Sequence, residues 1–219
     1  MTAPQLHLPR TVVSDQTDRA VDLLGHYFTP GKFIGGRWDG FDPSGTRAAS
    51  ANVFTSDDVA SAALLNTPVP GHAVVHLLIT QRVHFAGLLE AVGPDRDFID
   101  VDPDPSGKDM APVYELYEAL KTLPKIGPTI ASKLVARKRP RLFPIIDSDL
   151  RRTVFQETRQ DTHRGRQLLH AEFSAQDRTL WKRLASYHSA ASLPTEVSVL
   201  RVFDVLAWME AKAYWGPVP

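Results

Sequence analysis

The stretch "LPKIGP", residues 123–128, limits what this chain can fold into more than any other. It separates two runs of helical periodicity, "MAPVYELYEALKTL" (110–123) and "PTIASKLVARK" (128–138). Proline suits the first position of a helix, because the N–H it lacks would be unsatisfied there anyway. The spacing therefore predicts a helix, a sharp turn at Gly127 and a second helix from Pro128, a helical hairpin over 111–138. The second helix is expected to bury Ile130, Ala131, Leu134 and Val135 and to present Thr129, Lys133 and Arg137 on its other side.

A tight turn at a helix N-terminus aims backbone N–H groups and the positive dipole end outward, which makes a seat for phosphate. Lys125 and Lys133 flank that seat, and "RKRPR" (137–141) follows it. Contacts to a DNA backbone are accordingly expected from Lys125, Gly127, Thr129, Lys133, Arg137, Lys138, Arg139 and Arg141. The competing reading is a packed helical hairpin that binds nothing.

The remaining chain reads as helices at 14–28 (with Ser14 as cap), 55–65 (opened by Thr55 and acids), 71–92 as one or two, 164–190 with one break, and 195–215 starting at Thr195 and Glu196. "FIGGRWDGFDPSG" (33–45) is Gly-rich and aromatic and reads as a short β hairpin near 33–41 or a structured loop. The expected fold class is all-α with that hairpin as its one exception, in a single compact domain over 1–219.

The formal net charge is zero, yet residues 1–118 hold 8 Lys+Arg against 16 Asp+Glu, and residues 119–219 hold 17 against 9. A basic back half points to a polyanionic partner; equally, the two halves can attract each other within one fold. The absence of cysteine excludes thiolate chemistry, disulfides and cysteine-ligated clusters. The N-terminus has no apolar signal region and no apolar run reaches membrane-spanning length, so the expected compartment is the cytoplasm, without membrane association.

In its residues 123–131 the hairpin resembles the helix-hairpin-helix element of DNA-binding proteins: Leu123, Pro124, Ile126, Gly127 and Ala131 fit the pattern, and Lys125 stands where its first glycine belongs. In the DNA glycosylase superfamily that carries this element, an extended piece leads to a hydrophobic-Asp motif, and "IDSDLRR" (146–152) resembles it. The resemblance implies a helical glycosylase-like domain in which Asp147 is catalytic and Arg152 and Asp149 support it. Thr129 occupies the place of the family's Schiff-base lysine, which implies a monofunctional enzyme that releases a modified base in DNA repair and needs no cofactor. A carboxylate there would stabilise the positive charge that builds on the sugar as the N-glycosidic bond breaks. Asp147 can equally be the N-cap of the following helix, and both roles are compatible. The segments "GGRWDGF", "LVARKRPRLFPIIDSDLRR" and "FDVLAW" are also similar to a bacterial family of unknown function.

Trp38 offers a face for stacking on a flipped base, or packs inside. His72, His76 and His84 have helical spacing but no accompanying acid motif, and no metal site is assigned. Beside the glycosylase stand two alternatives: a non-catalytic DNA-binding or interaction module using Asp147 as a cap, and a structural hairpin in a protein–protein partner.

Overall fold

The computed structural model describes residues 4–158 and 161–214. Among the described residues the chain forms ten α-helices and no strand. They are α1 (Arg10–Val13), α2 (Thr17–Phe28), α3 (Ser56–Leu64), α4 (Gly71–Val75), α5 (Arg82–Val92), α6 (Ala111–Lys121), α7 (Pro128–Lys138), α8 (Ser148–Thr153), α9 (Thr162–Ala190) and α10 (Val199–Ala211). The fold is all-α. Of the two readings of the Gly-rich segment, the β hairpin does not form and the structured loop does: a single 3-10 turn, Ile34–Arg37, followed by bends and turns. Its glycines allow close approach rather than strand pairing: a Cβ on Gly35 would lie 2.3 Å from Tyr27 Oη, and one on Gly36 would lie 2.7 Å from Tyr27 O.

Several boundaries follow local chemistry. The Thr55 hydroxyl accepts from Asp58 N while Asp58 accepts from Thr55 N, a reciprocal capping box that starts α3. Pro128 opens α7 behind Gly127. The run 71–92 divides in two, with a π turn over His76–Thr80 and a break at Gln81. α9 is interrupted at 175–178, where Gln176, Asp177 and Arg178 have positive φ. Two starts differ from expectation. Ser14 closes α1 by donating to Arg10 O, so α2 begins at Thr17. α10 begins at Val199 rather than Thr195, because Ser198 caps it, accepting from Arg201 N and donating to Pro140 O. Residue 215, the end of the expected last helix, lies outside the described residues.

Two apolar cores organise the helices. One gathers Leu23, Leu24, Leu150, Phe173, Leu184 and Phe203 from α2, α8, α9 and α10. The other gathers Phe85, Leu89, Leu116, Leu120, Leu134 and Phe143 around α5, α6 and α7. Between them lies a small cluster of Trp38, Ala136 and Ile145. The hairpin α6–α7 belongs to the second core, and residues 145–147 lead from it into the first. That placement sets Asp147 at the seam.

Candidate functional site

The turn of the hairpin differs from its expected geometry in one respect. Gly127 has φ −93°, ordinary extended backbone, and the left-handed residue is Lys125 at φ +61°. Lys125 is exposed at the tip. No side chain caps α7, and a Cβ on Gly127 would meet nothing within 4 Å, so there is open space beside the turn. Thr129 Oγ1 accepts from Arg151 Nη2 at 3.2 Å, which ties α8 to the hairpin.

The basic run is placed inside the molecule, which corrects its assignment to a DNA-facing surface. Lys133, Arg137, Lys138 and Arg139 are only 5%, 2%, 7% and 1% exposed. α7 is covered on the side expected to face solvent by α3 and by the 38–52 segment, whose carbonyls need donors. Lys133 Nζ donates to Leu65 O, and Arg137 donates to Asp58 Oδ1, Trp38 O and Phe41 O. Lys138 pairs with Asp58 and donates to Ser50 O. Arg139 donates to Gly93 O, Ala51 O, Leu89 O and Asn52 Oδ1. Arg141 alone of the run is exposed, held bidentate by Asp97. Trp38 is likewise buried, 2% exposed beneath the Arg201 guanidinium, so it is no platform for a base.

Asp147 is half-buried and caps α8, its Oδ1 accepting from Leu150 N at 3.0 Å. Arg152 does not reach it. Arg152 and Lys212 both pair with Asp149, at 3.2 and 2.8 Å: Arg152 follows Asp149 by three residues and shares its face of α8, whereas five residues from Asp147 turn it away from that carboxylate. Arg151 is the neighbour of Asp147, its Nε 3.4 Å from Asp147 O.

Asp147 lines a cavity of about 80 Å³ at the seam between the two cores. Tyr27, Phe33 and Trp208 form its aromatic wall, with Tyr27 and Phe33 stacked at 5.3 Å and Trp208 edge-on to Phe33. The polar wall is Asp147, Lys133, Arg201 and Asp204. Arg201 donates to Asp39 Oδ2, Asp204 Oδ2, Tyr27 Oη and Gly35 O, fixing the wall in place. Burial pushes the Asp204 carboxyl up to about 6 against the pull of Arg201, and the charge of Asp147 adds to the rise. Burial also lowers the Lys133 ammonium, against the attraction of Asp147 and Asp204. A wider groove of about 780 Å³ runs past Asp42, Arg47, Asp95 and Glu196, but its buried cations Arg137 and Lys138 are bound to Asp58.

Of the site residues expected from sequence, the fold brings Asp147, Lys133, Thr129 and Gly127 to one region and places Arg137, Lys138, Arg139, Arg141 and Trp38 elsewhere. The aromatic wall, Arg151, Arg201 and Asp204 escaped sequence reasoning. Their one signal was Arg201 and Asp204 at i, i+3 in an otherwise apolar helix, where a buried charge needs a partner.

Among the described residues no group of three or more His, Asp or Glu could hold a metal, and no helix is long and apolar enough to cross a membrane. No curated protein and no solved structure matches the chain. A family model covers residues 20–211, nearly the whole described fold, and the chain belongs to that family, described as "Family of unknown function (DUF6308)".

Proposed function

We propose that the protein binds DNA through the tip of the α6–α7 hairpin and hydrolyses the N-glycosidic bond of a base drawn into the cavity beside Asp147. The carrying observation is the cavity itself: an aromatic wall for a planar ring, with a carboxylate at its edge, one residue segment away from an uncapped helix N-terminus. Lys125, the Gly127–Thr129 backbone and Arg151 receive phosphate. Ile34, 59% exposed and part of the cavity lining, offers an apolar contact to the gap left in the duplex. Asp147, at the start of α8, opposes the positive charge that grows on C1′ as the bond lengthens.

A panel of duplexes carrying alkylated, deaminated or oxidised bases, incubated with protein and developed with alkali, tests this reading. Alkali-dependent cleavage by the wild type is expected. Asp147→Asn is expected to lower the rate by about 10²-fold or more while duplex affinity changes little. Affinity without release from any duplex leaves a DNA-binding module in which Asp147 serves as the cap of α8.

A further inference from the structure

The seam cavity holds a second carboxylate that the reading above does not use. Asp204, on α10, is 5% exposed, and its Oδ2 is taken by Arg201. The buried carboxylate oxygen left without a hydrogen-bond partner is Asp39 Oδ1, on the other side of the same guanidinium. Ionisable groups face Asp204 from several elements: Tyr27 on α2, Lys133 on α7, Asp147 at the start of α8 and Arg201 on its own helix, with Asp39, and Arg47 behind it, across Arg201; Asp149 acts on Lys133. Arg201 is shared among Asp204, Asp39, Tyr27 and the Gly35 carbonyl, so Asp204 has no cation to itself. A buried carboxylate whose counter-charge is shared in this way lowers its energy by taking up a proton.

We infer that Asp204 is the acid that protonates the departing base, and that the site is therefore built for an uncharged base of single-ring size. This rests on the glycosylase reading. The size follows from a cavity of about 80 Å³, far below those that enclose large ligands. The charge class follows from the chemistry. A cationic alkylated base departs as a neutral molecule and needs no proton, whereas a neutral base departs as an anion unless one is supplied. As the C1′–N bond breaks, its electron pair goes to the base and the Asp204 proton moves to a ring nitrogen or carbonyl oxygen. Water adds to C1′, and Asp147 accepts the proton that the water loses. Base, sugar hydroxyl and both carboxyl groups then balance, with one proton shifted from Asp204 to Asp147 and returned through solvent. The two carboxyls differ as the roles require: Asp204 is buried and carries a raised pKa, while Asp147 sits at a helix start.

Single-turnover release of uracil and of 5-fluorouracil from otherwise identical duplexes tests the inference. The two bases share size and shape, but 5-fluorouracil leaves more readily as an anion. Asp204→Asn is expected to slow uracil release by about 10²–10⁴-fold and 5-fluorouracil release by less than about tenfold. Asp147→Asn slows both alike. Equal loss on both bases in Asp204→Asn makes Asp204 a positioning residue and overturns the inference, as does no loss on either. If that variant does not fold, the wild-type pH profiles decide: uracil release falls as pH rises through about 6, and 5-fluorouracil release falls less steeply. Parallel profiles overturn it. A wild type that releases neither base, yet releases another from the wider panel, overturns the substrate class while the glycosylase reading stands.

Discussion

Lys125 holds φ +61°, a conformation that costs an L-residue roughly 1–2 kcal/mol and that glycine adopts freely. Its side chain is exposed, so little packing offsets the strain. Lys125→Gly is therefore expected to stabilise the fold by about 1 kcal/mol, after allowance for the larger entropy of glycine in the unfolded chain. The same change removes the cation at the hairpin tip, so DNA affinity should fall while the melting temperature rises. Thermal melts and duplex titrations of the one variant read both effects, and a loss of stability would show that Lys125 is held by something other than turn geometry. Asp204 makes a second residue-scale prediction. Burial raises its carboxyl from the ordinary 3.8 to about 6 in the folded protein, so the folded state binds the proton more tightly. Its contribution to stability is then complete below pH 4 and is lost as pH rises through 6. Asp95, also raised to about 6 by burial, acts in the same direction. Denaturant unfolding across this range should show a smaller decline in Asp95→Asn than in the wild type.

At the scale of elements, α7 departs most from an amphipathic helix. Its residues from Ala131 to Lys138 are buried on every side, and three of them carry formal charge. Asp58 is what makes that tolerable: it caps α3 through Thr55, pairs with Arg137 through Oδ1 and with Lys138 through Oδ2. Asp58→Asn leaves two buried cations without a counter-charge, and a loss of about 3–5 kcal/mol is expected in denaturant unfolding. Thr55→Ala, which removes only one side of the capping box, should cost about 1 kcal/mol. Comparable losses in the two variants would mean that the ion pairs matter no more than the cap. α10 shows the same logic in its start, which lies at Ser198 because the Pro140 carbonyl and the Arg201 N–H both need that hydroxyl.

Across the whole molecule the acidic front and basic back halves meet inside the fold. Asp39 pairs with Arg201, Asp58 with Arg137 and Lys138, Asp97 with Arg141, and Asp100 with Arg178. For the proposed DNA contact the cations near the hairpin tip are few: Lys125, Arg151 and, beyond them, Arg152 and Lys212, which share Asp149. With about two to four phosphates neutralised, the slope of log affinity against log salt should be roughly −2 to −4, far shallower than a fully exposed basic run would produce. A slope steeper than about −6 would require a cationic surface that the fold does not present at the hairpin.

Sequence by itself determined the local features: the all-helical class, the hairpin with Pro128 at its second helix start, the Thr55 start of α3, and Asp147 at the start of α8. Each rests on backbone chemistry within a few residues, where spacing and capping decide. Tertiary structure alone decided which side of α7 meets water, that Trp38 lies under Arg201, and that Tyr27, Phe33, Asp147 and Asp204 share one cavity. The physical reason is common to all three. Burial depends on what the remote 38–52 segment and α10 bring against α7, and a lysine or arginine pattern looks the same in sequence whether its partner is a phosphate or a carbonyl of its own chain.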